Sequence, residues 1–107
     1  MQRKASEKIL KQILQRILAV VQPSRVFLFG SAARDEMRAN SDLDLLVVVP
    51  SGCHRRRTAQ MIYRNLVGVG FAADIVVVTD DDVERYRNDQ DMVIKPAMDE
   101  GRLLYAA

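Results

Sequence analysis

A chain of 107 residues is expected to fold as one domain over residues 1–107, because a second independent core has no room at this length. Its 16 basic and 14 acidic side chains leave a formal net charge of +2, which excludes the one-signed field that draws proteins to DNA, RNA or anionic membranes. The lone Cys53 excludes an internal disulfide; with no cleavable leader pattern and no apolar run near the ~20 residues that span a bilayer, a cytoplasmic protein is expected.

Ile9, Leu10, Ile13, Leu14, Ile17, Leu18 and Val21 recur at three- and four-residue steps and predict a helix with one apolar stripe, ended by Pro23. "RVFLF", Arg25 to Phe29, predicts a buried strand stopped by a tight turn at Gly30, and a short helix is expected to begin at Ser31. "LDLLVVV", Leu43 to Val49, predicts a second strand. The polar loop "SGCHRRR" then leads into a helix whose inner face is expected to carry Ala59, Ile62, Tyr63 and Leu66, before Gly68 and Gly70 weaken it. "ADIVVV", Ala73 to Val78, predicts a third strand. Thr79 is placed to cap a helix opened by Asp80, Asp81 and Asp82, whose charges suit the positive end of the helix dipole. A further helical segment is expected to close at Gly101, kinked or broken at Pro96, and "RLLYA" to add a last strand. The order predicts an α/β or α+β domain, a small sheet flanked by helices, without internal repeats.

Asp42 and Asp44 are the unusual residues, because they sit at the polar end of a strand otherwise built for burial. Side chains two apart on a strand share a face, with alpha carbons roughly 6.6 Å apart. If Asp74, which also opens an apolar strand, lies alongside, three carboxylates converge on one edge of the sheet. Two negative charges about 4 Å apart repel by about 1 kcal/mol in water and about 4 kcal/mol at an effective dielectric near 20. Such a cluster is therefore solvated, paired, or holding a cation. Magnesium takes hard oxygen ligands and leaves its remaining positions to water and substrate phosphate, and a bridged pair of ions suits an in-line displacement at phosphorus.

Gly30 and Ser31 offer a cradle for phosphate: glycine lets backbone approach a ligand, and Ser31 can donate its hydroxyl at a helix start. Ser31 read simply as a helix cap remains open. Arg34, one turn on, has the planar fork of donors that grips triphosphate oxygens, although a salt bridge to Asp35 explains it nearly as well; Arg38 is a second cation on the same segment. No G-x-x-x-x-G-K-S/T run occurs, so this is not a Walker loop. His54 and Cys53 have no second ligand nearby, which supports neither zinc chemistry nor a nucleophilic dyad. "HRRR", His54 to Arg57, is either a solvated helix start or a contact for RNA or an acidic partner.

The ordered set Gly30, Ser31, Ala33, Arg34, Arg38, Ser41, Asp42 and Asp44, with Asp74 on a later strand and the ending "EGRLLY", resembles the signature of the minimal nucleotidyltransferases of the DNA polymerase beta superfamily. Asp35 stands where that family often has glycine, and Ala32 where a larger residue is common. The resemblance implies a polymerase-beta-like fold with a small mixed sheet, and transfer of a nucleoside monophosphate, most often AMP from ATP, to a hydroxyl. It implies two Mg²⁺ ions on Asp42 and Asp44, with Asp74 completing the site nearest the acceptor and helping to remove its proton. Gly30, Ser31 and Arg34 would bind the nucleotide. It further implies a hetero-oligomer with an all-helical HEPN-type toxin, neutralised by this chain as antitoxin through adenylylation of a tyrosine. The other function class is a non-catalytic subunit that neutralises the toxin by occupancy.

Overall fold

The computed structural model describes residues 7–30, 43–89 and 92–107. The elements run α1 (Glu7–Val20), β1 (Arg25–Phe29), β2 (Leu43–Val49), α2 (Arg55–Asn65), β3 (Ala73–Thr79), α3 (Asp80–Tyr86), α4 (Ile94–Glu100) and β4 (Arg102–Ala106). The strands form one mixed sheet in the order β3-β2-β1-β4. β1 is antiparallel to both β2 and β4, whereas β2 and β3 are parallel. A parallel pair cannot be closed by a tight hairpin. The chain between them is long enough to carry α2 across the sheet, and that crossover sets the relative position of the two strands that begin with aspartates.

Helices cover both faces of the sheet. Leu10, Ile13 and Ile17 of α1 and Ile62 and Leu66 from the α2 segment pack against Val26, Leu28, Leu43, Leu45, Val47 and Val49. On the other face Val83 of α3 and Ile94 and Ala97 of α4 meet Phe27, Leu46, Val48 and Val78. The central β2 is thus sealed on both sides, which is why its sequence is a continuous apolar run instead of an alternating one. From Leu45 to Val49 every side chain is buried, and Asp44 is the half-buried exception at its start.

Local chemistry fixes the helix ends. Thr79 caps α3 as expected: the Asp82 N–H donates to Thr79 Oγ1 (3.1 Å) and the Thr79 N–H donates to Asp82 Oδ2 (2.9 Å), a reciprocal capping box. Arg55 Nη1 adds an ion pair to Asp82 Oδ2 at 3.0 Å. The Thr79 backbone donor foremost holds the Asp82 carboxyl below its ordinary pKa; burial opposes it, and the Thr79 hydroxyl and Arg55 add to the lowering. His54 caps α2: its Nδ1 accepts from the Arg57 N–H at 3.1 Å. Glu7 in the first turn of α1 takes a forked bond from Arg102 of β4 (2.6 and 3.0 Å), which pulls the Glu7 carboxyl below its usual range.

Two expectations need correction. Pro96 neither kinks nor breaks its helix, because α4 starts at Ile94 and the proline falls in the first turn, where an amide has no intrahelical acceptor. The next residue already makes a full helical bond, Ala97 N–H to the Val93 carbonyl at 3.0 Å. Gly101 closes α4 as foreseen, at φ −81°. It is there because a Cβ would collide with the Ala97 carbonyl and lie 2.8 Å from that of Leu28. Tyr63 is not on the inner face of α2 but at its rim, 42% exposed, and Thr58 takes the buried place, its hydroxyl donating to the His54 carbonyl at 2.8 Å. The short helix expected from Ser31 lies outside the described residues.

Candidate nucleotide and metal site

The site is built where β1 ends and β2 and β3 begin. Asp44 is the second residue of β2 and Asp74 the second of β3, and the parallel register sets them directly opposite one another. Adjacent strands lie about 4.8 Å apart, and paired residues share a face. Side-chain alternation puts Asp44 on the face of Leu46 and Val48, and Asp74 on that of Val76 and Val78, which is the face covered by α3 and α4. Neither helix extends over the two acids: Asp44 is half-buried and Asp74 exposed. The outcome is two carboxylates side by side at an open sheet end.

β1 completes this corner. Its last residue, Phe29, pairs with Asp44, so the turn at Gly30 passes beside the Asp44 side chain. Gly30 has φ +74°, the left-handed region that disfavours residues with a Cβ, and a Cβ there would overlap the Asp44 carboxylate. Two independent constraints thus select glycine at this position. The first is conformational, and the second is a close approach of backbone to the acid.

Asp74 has a neighbour that sequence reading placed elsewhere. The Tyr63 hydroxyl donates to Asp74 Oδ1 at 3.5 Å and accepts the Ile75 N–H at 2.8 Å. β3 is an edge strand, so one row of its amides faces outward without a sheet partner. Tyr63, in the last turn of α2, reaches round that edge and occupies one of them. A tyrosine with an apolar body and a polar tip at the flank of a crossover helix is the sequence signal for this role; the helical stripe that grouped it with Ile62 and Leu66 masked it.

Of the residues predicted for the site, the structure brings together Gly30, Asp44 and Asp74. Asp42, Ser31 and Arg34 lie outside the described residues, as do Arg38, Asp35 and Ala32. Among the described residues no group of three His, Cys, Asp or Glu side chains is close enough to hold a metal ion. The donors present nevertheless suit magnesium: hard carboxylate oxygens, with a glycine turn close against that of Asp44.

Residues 7–104 match the family model described as Nucleotidyltransferase domain. The chain belongs to the nucleotidyltransferase domain family. The fold agrees: the crystal structure of a nucleotidyltransferase candidate from Sulfolobus solfataricus superposes with a TM-score of 0.63 at 20% identity, covering 92% of this chain and 78% of that one. A comparison with curated proteins returns no match. Nucleotidyltransferase domains act on nucleoside triphosphates, which agrees with carboxylates and a glycine turn gathered at one end of the sheet. No helix among the described residues is long and apolar enough to cross a membrane.

Proposed function

We propose that this nucleotidyltransferase moves AMP from ATP to a hydroxyl, with Asp42, Asp44 and Asp74 as the acidic trio. The observation that carries the reading is the register pairing of Asp44 with Asp74 beside the Gly30 turn. Two like charges held this close are stable at low cost only where water, a protein partner or a cation compensates them. Mg²⁺ bound by the three acids would offset the charge of the triphosphate and the negative charge that builds on its oxygens during transfer.

The chain's own residues have separable tasks. Asp42 and Asp44 would hold the cations from one side, and Asp74 from the acceptor side. Gly30 lets the backbone come up to the phosphates, Ser31 donates its hydroxyl to one, and Arg34 spans two oxygens with its guanidinium. Asp74 then accepts the acceptor's proton as the oxygen–phosphorus bond forms. The bond to the bridging oxygen breaks in line, and pyrophosphate leaves with its electron pair. The single domain spans residues 1–107, and the acceptor is a tyrosine on a second chain, a HEPN-type helical toxin that this protein neutralises as antitoxin.

The test is to purify the chain with the protein encoded beside it and supply labelled ATP with magnesium. Label on the partner that vanishes when Asp44 and Asp74 become asparagine supports the whole reading. Label on a small molecule instead retains the transferase and removes the antitoxin role. A partner neutralised equally by the double variant, with no label from either protein, overturns catalysis in favour of masking by occupancy.

A further inference from the structure

Tyr63 lies at the β3 edge and has no part in the reaction described so far. Its ring belongs to α2, which packs on the opposite face of the sheet from Asp44 and Asp74. Its hydroxyl reaches the β3 edge at the Ile75 amide. Because its oxygen already accepts the Ile75 N–H at 2.8 Å, the hydroxyl proton is directed away from that amide, toward Asp74 Oδ1 at 3.5 Å. Asp74 is exposed and would otherwise turn freely among its rotamers.

We infer that Tyr63 is a positioning residue for the metal site: it fixes Asp74 by one carboxylate oxygen and leaves Oδ2 for the cation. This rests on the reading of Asp44 and Asp74 as metal ligands. The hydroxyl does for an aspartate what outer hydrogen-bond partners do for metal-bound side chains generally, setting orientation before the ion arrives. Loss of such a partner typically lowers metal affinity 10- to 100-fold. The long Tyr63–Asp74 contact places this case at the lower end, about ten-fold.

The test uses Tyr63→Phe, which keeps the ring and removes only the hydroxyl; the freed Ile75 amide lies on a sheet edge, within reach of water. Mn²⁺ affinity is read by electron paramagnetic resonance with a non-hydrolysable ATP analogue, for the wild type, Tyr63→Phe and Asp44→Asn, alongside a thermal melt of each. The expected result is wild-type binding, an about ten-fold loss in Tyr63→Phe, and no binding in Asp44→Asn. Equal affinity of wild type and Tyr63→Phe overturns the tether while leaving the metal site intact. Absence of Mn²⁺ binding in the wild type overturns the metal reading, and the tether with it. Should Tyr63→Phe not fold, wild-type protein labelled at tyrosine Cζ gives a second measurement. Mg²⁺ with the analogue should move one of three Cζ resonances and leave those of Tyr86 and Tyr105 in place; three unmoved resonances overturn the tether.

Discussion

Gly30 carries two demands at one Cα, a positive φ and the nearness of the Asp44 carboxylate. Replacing it with alanine tests both. Where φ is left-handed, alanine costs more than the ~1 kcal/mol that the same change would gain at a compatible site, and here the added methyl must also displace Asp44. Gly30→Ala is therefore expected to lower the urea midpoint and to weaken binding of a magnesium–triphosphate analogue by calorimetry. Unchanged binding in a folded variant would mean that the turn and the acid are not parts of one site. Gly52, also at positive φ but with open space around it, is the control that should cost stability alone. At this scale the sequence was informative about Gly30 and Asp44, because a glycine ending an apolar strand and an acid interrupting another are both anomalies. Tyr63 gave no anomaly. Its spacing satisfied the helical stripe, and only the placement of the β3 edge distinguishes rim from core.

At the scale of elements, α3 is a helix whose start is clearly specified and sensitive to acid. Its capping box joins Thr79 and Asp82, and Arg55 of α2 reaches the same carboxylate. Thr79→Ala is expected to cost about 1 kcal/mol, as loss of an N-cap hydroxyl usually does, read from urea unfolding. The pH dependence has a definite sign. The folded-state pKa of Asp82 lies below its unfolded value, so its contribution is present at neutral pH and is lost as the pH falls through the folded value, below about pH 4. Asp82→Asn should be less stable than wild type at pH 7, and the difference should shrink toward pH 3 in parallel denaturation series. A gap that stays constant would assign the role of Asp82 to packing. Helix starts such as Thr79 were legible because capping is local chemistry. The start of α4 was not: without a side-chain cap at Val93 to mark it, Pro96 read as an interior breaker when it is a first-turn residue.

For the whole molecule, the topology is what turns scattered acids into a pair. Asp44 and Asp74 are far apart in sequence and meet because α2 carries the chain back to lay β3 parallel to β2 with these residues in register. The sequence could indicate that both strands open with an acid, but not which strand neighbours which; strand order is decided by how both faces of β2 are covered. This arrangement makes a prediction in which stability and function move oppositely. Without a cation, the two carboxylates repel across the strand spacing, and neutralising one removes that repulsion. Asp74→Asn should therefore melt at the same temperature as wild type or higher in metal-free buffer. With Mn²⁺ and a triphosphate analogue the order should reverse, because a ligand that binds only the folded state stabilises it by RT ln(1 + [L]/Kd), a gain open only to the protein that retains its ligands. A hundred-fold excess over Kd is worth about 2.7 kcal/mol, enough to outweigh the relief of repulsion between two partly solvated charges. If Asp74→Asn is instead destabilised without metal and gains as much as wild type with it, the carboxylate serves the sheet end, and the cation must be held elsewhere.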